Sequence, residues 1–100
     1  MRTIIFGDIH GCIEPFSQLL QLTAPDPQQD RIILLGDLVD RGPDPYAVWQ
    51  TVVSLQRQFG RRLVLLRGNH EDYWLQTHPS FSQRRLHHRV GKATTVRSFR

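Results

Sequence analysis

Cysteine is almost absent: the 100 residues contain one, Cys12, so no internal disulfide can form and nothing calls for an oxidising compartment. Long apolar runs are missing as well, and no stretch approaches the ~20 residues that span a bilayer. The N-terminal Ile4-Ile5-Phe6 is cut short by Asp8, too early for the apolar core of a secretion signal. These absences predict a cytoplasmic chain without a membrane partner. Acidic residues are absent from one region. Residues 73–100 hold five Arg and one Lys with no Asp or Glu, whereas residues 1–72 hold seven Arg against nine acids. The overall charge of +4 therefore hides a front part of −2 and a tail of +6. Such a tail suits a solvated surface, and nucleic acid is not an expected partner. Composition leaves the oligomeric state open.

What is present is an apolar fraction of 39 %, ordinary for a globular chain and enough for one thin core. Three short apolar runs stand out: Thr3 to Phe6, Arg31 to Leu35 and Leu63 to Arg67. Their Ile, Val and Leu content predicts strands buried on both faces. Ile13, Phe16, Leu19, Leu20 and Thr23 fall on one helical face, with Pro15 tolerated in the first turn. Val48, Val52, Leu55 and Phe59 do the same after a Pro43-Asp44-Pro45 entry, and Gly60 stands at the C-cap position. The expected order is β-α-β-α-β, the unit of a parallel sheet. A short helix is predicted from about Glu71, and Lys92 to Phe99 reads as a possible strand. The domain reading is 1–76 for the patterned part and 77–100 for a basic, weakly patterned segment of the same domain.

Each run ends in a glycine followed by a residue able to hold a ligand. In open parallel sheets ligands bind beyond the carboxyl ends of the strands. That edge should gather Asp8, His10, Asp37, Asp40, Arg41, Asn69 and His70. An aspartate after a strand is commonly a turn or cap residue. Three junctions carrying Asp-x-His, Asp-x-x-Asp-Arg and Asn-His-Glu at one edge outweigh that explanation. Two carboxylates with an imidazole and an amide oxygen suit Mn, Fe or Zn better than Ca. A carboxylate can bridge two cations, and such pairs clamp phosphates and generate hydroxide at neutral pH. Arg41 offers a planar fork for phosphate. His70 could protonate a leaving oxygen while Asp40 orients it. Cys12, beside His10, reads as a small space-filling residue, because a carboxylate-rich setting disfavours a thiolate.

The order GDIHG, GDLVDRG, RGNHE over residues 1 to about 76 resembles the calcineurin-like metallophosphoesterases, in particular their phosphoprotein phosphatase branch. A weaker echo continues through Gly91 to Phe99. The resemblance implies an α/β fold, with the β-α-β-α-β unit forming half of a two-sheet sandwich flanked by helices, truncated before the second sheet. It implies two divalent metal ions, with Mn first and Fe or Zn as alternatives. Asp8 and His10 would hold one metal, Asp37 would bridge both, and Asn69 would hold the second. Arg41, Asn69 and His70 would contact substrate. His70 would act as general acid, paired with Asp40, while a metal-bridging hydroxide attacks phosphorus. The substrate expected first is a Ser/Thr phosphoprotein. A small phosphate ester such as a symmetrical dinucleoside tetraphosphate is the alternative. Family members supply at least two later histidine ligands, and His78, His87 and His88 match no such motif. The reading of another class is therefore a catalytically inactive fragment that binds a metal or an anion. Without the second sheet, the stretches 32–35 and 63–66 are expected to expose apolar surface.

Overall fold

The computed structural model describes residues 1–75 and 91–99. Three parallel strands run in the order β1 (Thr3–Phe6), β2 (Arg31–Leu34) and β3 (Leu63–Leu65). Ile4 pairs with Ile32 and Phe6 with Leu34, while Ile33 pairs with Val64. Parallel neighbours require a crossover. Helix α1 (Ile13–Thr23) supplies the first, and α2 (Pro45–Phe59) with the 3₁₀ turn Gly60–Arg62 supplies the second. Among the described residues two further helices follow, α3 (Asn69–Leu75) and α4 (Lys92–Ser98). Among the described residues, no helix is long and apolar enough to cross a membrane.

The start of α2 follows from its sequence. Asp44 accepts a hydrogen bond from the Ala47 N–H at 3.0 Å, and Pro45 occupies the first turn, where its missing N–H costs nothing. The apolar faces of α1 and α2 then meet the sheet. Phe16, Val48, Val52, Leu55 and Phe59 join Phe6, Ile32 and Leu34 in one core. Phe6 and Phe16 meet edge to face at 5.4 Å.

The strands are buried on one face only, which corrects the expectation of two. Ile32 and Leu34 point into the core and are fully buried, whereas Ile5 is 60 % exposed and Val64 36 %. Side chains alternate along a strand, so helices on one side leave every second residue open. The apolar surface anticipated at 32–35 and 63–66 is real for Leu35 and Val64 on the open face and for Leu65 and Leu66 at the β3 edge, but not for Ile32 or Leu34. Leu19 is also exposed, at the rim of the face shared by Ile13, Phe16 and Leu20.

A second correction concerns residues 92–98, which form helix α4 and not a strand. Tertiary contacts outweigh the β preference of Thr94, Thr95 and Val96. His78, His87 and His88 lie outside the described residues.

The edge of the fold away from the loops is tied by Asp30. Its carboxylate accepts from the Arg2 guanidinium and backbone N–H, each at 2.9 Å, and from the Asp26 N–H at 2.8 Å. The Arg2 side chain, then the Asp26 and Arg2 N–H groups, hold the carboxyl well below its ordinary value of 3.8. A lowered carboxyl pKa stabilises the fold above the ordinary carboxylate range, and that contribution is lost as pH falls through the native value. Asp30→Asn is therefore expected to lower the unfolding midpoint at pH 7. The gap to wild type should shrink steadily as thermal melts are repeated toward pH 2.

Candidate metal and phosphate site

The three loops that follow the strands meet at the carboxyl edge of the sheet. Backbone hydrogen bonds lock the first to the second: the Ile9 and His10 N–H groups donate to the Asp37 carbonyl at 3.2 and 2.8 Å, and Gly11 N–H to Leu38 at 2.9 Å. Close approach is possible because Gly42 lies against the His10 carbonyl, where any Cβ would collide. His10, Asp37, Asp40 and Arg41 all have positive φ, at 46, 51, 70 and 71°. Non-glycine residues held there cost of order 1–3 kcal/mol each, and such strain clusters at functional sites.

Asp8, His10 and Asp37 form a donor cluster. One ligand atom from each lies within 4.8 Å of the others. The His10 Nδ1 is 3.0 Å from the Val39 carbonyl, which fixes the tautomer with the proton on Nδ1. Its Nε2 then offers a lone pair, 3.6 Å from an Asp8 carboxylate oxygen. Asp37 is oriented by the His70 backbone N–H, which donates to its Oδ1 at 2.8 Å. Two carboxylates and an imidazole with a committed second nitrogen form a donor set that fits a divalent cation. Asn69 opens α3 and is exposed, immediately before His70.

Beside the cluster sits a buried acid–base pair. Asp40 is fully buried and His70 is 6 % exposed. The His70 Nδ1 lies 2.9 Å from Asp40 Oδ2. Its ring stands edge-on to that of His10, with centroids 4.4 Å apart. The expected pairing of His70 with Asp40 is therefore present next to the metal-type donors. Arg41 continues the same turn, exposed, with its backbone N–H donating to the Gly91 carbonyl at 3.2 Å. Cys12 is half-buried, its thiol donating to the His10 carbonyl at 3.7 Å.

Two features of this site were not anticipated from the sequence. The carboxylate of Glu71 accepts from the Asp37, Leu38 and Gly68 N–H groups at 2.5, 2.9 and 2.9 Å, joining the second loop to the third. Glu71 was visible only as the last letter of the Asn-His-Glu motif. The other feature is α4, whose Thr95 reaches the buried Asp40. For Glu71, an amide would place an NH₂ against one of these N–H donors. Glu71→Gln should cost about 1.5–3 kcal/mol of stability. Because Glu71 sets the backbone of Asp37, a member of the candidate donor cluster, Mn²⁺ affinity should fall roughly 10-fold, read by calorimetric titration.

The profile of the calcineurin-like phosphoesterases matches residues 1–97. The chain belongs to this family. The family is described as one of phosphoesterases, and the Asp8, His10 and Asp37 cluster is a donor set of the kind that can hold a divalent cation. A symmetrical bis(5'-nucleosyl)-tetraphosphatase of Serratia proteamaculans is 38 % identical over 90 residues, covering 90 % of this chain and 30 % of the relative. One from Edwardsiella ictaluri is 43 % identical over 83 residues, covering 83 % and 28 %. One from Pectobacterium carotovorum is 35 % identical over 96 residues, covering 96 % and 33 %. The chain thus spans about a third of the length of these relatives. A crystal structure assigned as a diadenosine tetraphosphatase superposes with a TM-score of 0.64 at 28 % identity, over 94 % of this chain and 40 % of that one.

Proposed function

We propose that the chain carries the metal and phosphate loops of an enzyme that hydrolyses symmetrical dinucleoside tetraphosphates. The observation that carries this reading is the similarity to symmetrical tetraphosphatases, at 38 % identity across 90 % of the chain. The relatives compared are tetraphosphatases and not protein phosphatases, so the order of substrates expected from the sequence is reversed. The loops themselves address phosphorus and serve either substrate.

Asp8, His10, Asp37 and Asn69 would hold the cations, Mn first with Fe or Zn as alternatives. When bound, they lower the pKa of water and neutralise phosphoryl charge. Asp37 spans the site, its carboxylate steered by the His70 N–H. Arg41 presents a fork to the non-bridging phosphate oxygens. Water adds at an inner phosphorus, the central P–O–P bridge breaks, and two nucleoside diphosphates leave. His70 delivers the proton carried on Nε2 to the departing oxygen and is left as the Nδ1–H tautomer, held by Asp40 through Nδ1. In this reading residues 91–99 belong to the same domain as residues 1–75, since α4 packs on the loop that bears Asp40 and Arg41.

The test is product analysis with the full chain and Mn²⁺. Diadenosine tetraphosphate should yield two ADP per molecule consumed. Release of ATP with AMP, or faster dephosphorylation of a phosphothreonine peptide, would overturn the assignment. Mn²⁺ binding without turnover of any phosphate substrate would favour the inactive-fragment reading instead.

A further inference from the structure

Thr95 makes two hydrogen bonds to one residue. Its hydroxyl donates to Asp40 Oδ1 at 2.7 Å and accepts the Asp40 backbone N–H at 2.6 Å. Thr95 is itself buried, at 6 % exposure. Asp40 has a φ of 70°, a conformation that aspartate tolerates but does not prefer. Its carboxylate could rotate about χ2, and burial makes any unmet oxygen costly. The Thr95 hydroxyl removes that freedom by engaging main chain and side chain together. The Trp74 indole N–H also donates to Oδ1, at 3.0 Å, which leaves Oδ2 directed at His70 Nδ1.

Helix α4 is anchored independently on the same loop. The Ser98 hydroxyl donates to Asp44 Oδ1 and accepts the Tyr46 N–H, both at 2.9 Å. Tyr46 and Phe99 meet edge to face at 5.2 Å, and the Gly91 carbonyl takes the Arg41 N–H. These contacts fix the helix whether or not Thr95 carries a hydroxyl.

We infer that Thr95 is a positioning residue for the His70–Asp40 pair, selecting the His70 tautomer with the proton on Nδ1 and so aiming Nε2 at the phosphate site. As a statement about the rate of hydrolysis, this rests on the proposed function. As a statement about the tautomer, it does not.

The experiment compares Thr95→Val, which keeps the shape and removes the hydroxyl, with Thr95→Ser, which keeps the hydroxyl. Both are read in the full chain by histidine ¹⁵N–¹H correlation spectra and by steady-state kinetics on diadenosine tetraphosphate with Mn²⁺. The neutral form of His70 in wild type and Thr95→Ser should be a single tautomer, protonated on Nδ1. Thr95→Val should show a mixture, with kcat down 10- to 100-fold and KM within twofold. Ser98→Ala removes a different anchor of α4 and should leave the tautomer single. A single tautomer and unchanged kcat in Thr95→Val would overturn the assignment. So would tautomer mixing in Ser98→Ala equal to that in Thr95→Val. If the valine variant does not fold, the wild-type spectrum still decides: a Thr95 hydroxyl proton in fast exchange with water refutes the inference, and a slowly exchanging one close to Asp40 supports it. A tautomer change without hydrolysis by any form would uphold the role of Thr95 and sink the proposed function.

Discussion

Asp37→Asn is expected to lower both Mn²⁺ affinity and phosphate hydrolysis by about three orders of magnitude. The variant is close to isosteric, and asparagine tolerates the positive φ of 51° at this position. Its amide oxygen can still accept the His70 N–H, so the loop should keep its shape. What disappears is the negative charge and one oxygen donor at the centre of the Asp8, His10 and Asp37 cluster. A divalent cation at such a site contributes several kcal/mol to stabilising charge in the transition state, and about 4 kcal/mol corresponds to a thousandfold in rate. Calorimetric titration with Mn²⁺ separates the binding loss from the rate loss. A variant that binds Mn²⁺ as wild type does would remove Asp37 from the metal site.

His70→Asn should behave differently. The imidazole is a proton donor in the proposed mechanism, and loss of such a group lowers kcat by about 10²–10⁴-fold. Mn²⁺ affinity should stay within a few-fold, because Asp37 is steered by the His70 backbone N–H and not by the ring. The rate loss should also depend on the leaving group. A phosphoserine alkoxide needs a proton as it departs, whereas a nitrophenolate or a diphosphate needs it less. The ratio of wild-type to variant kcat is thus expected to be largest for the alkyl ester and smallest for nitrophenyl phosphate. Equal ratios across these substrates would remove His70 from the role of general acid. The Asp40 partner gives the pair its orientation but lies fully buried, out of reach of substrate.

The contrast between these two residues shows how unevenly the site could be read in advance. Asp8, His10, Asp37 and His70 each follow a strand within a few residues, so local sequence brings them to one edge once the strands are parallel. The Asp40–His70 pair was legible for the same reason. Glu71 was not, because its role depends on three N–H groups from two loops that sequence cannot align in space. Thr95 was harder still. It lies 55 positions beyond Asp40, in a stretch whose threonines and valine suggest a strand by composition.

Local chemistry, then, determined the strands, the first two helices and the identity of the metal-type donors, since all follow from hydrophobic period, caps and loop motifs within short windows. Tertiary structure alone decided the rest. Helices gathered on one face leave Ile5, Leu35 and Val64 open on the other, and Leu65, in register with the buried Leu34, is exposed because β3 stands at the edge of the sheet. Residues 92–98 became a helix because Thr95 and Ser98 gain partners on the Asp40–Tyr46 loop, contacts that outweigh a weak strand preference. The left-handed backbone at His10, Asp37, Asp40 and Arg41 is likewise a product of loops held against one another, not of the residues themselves.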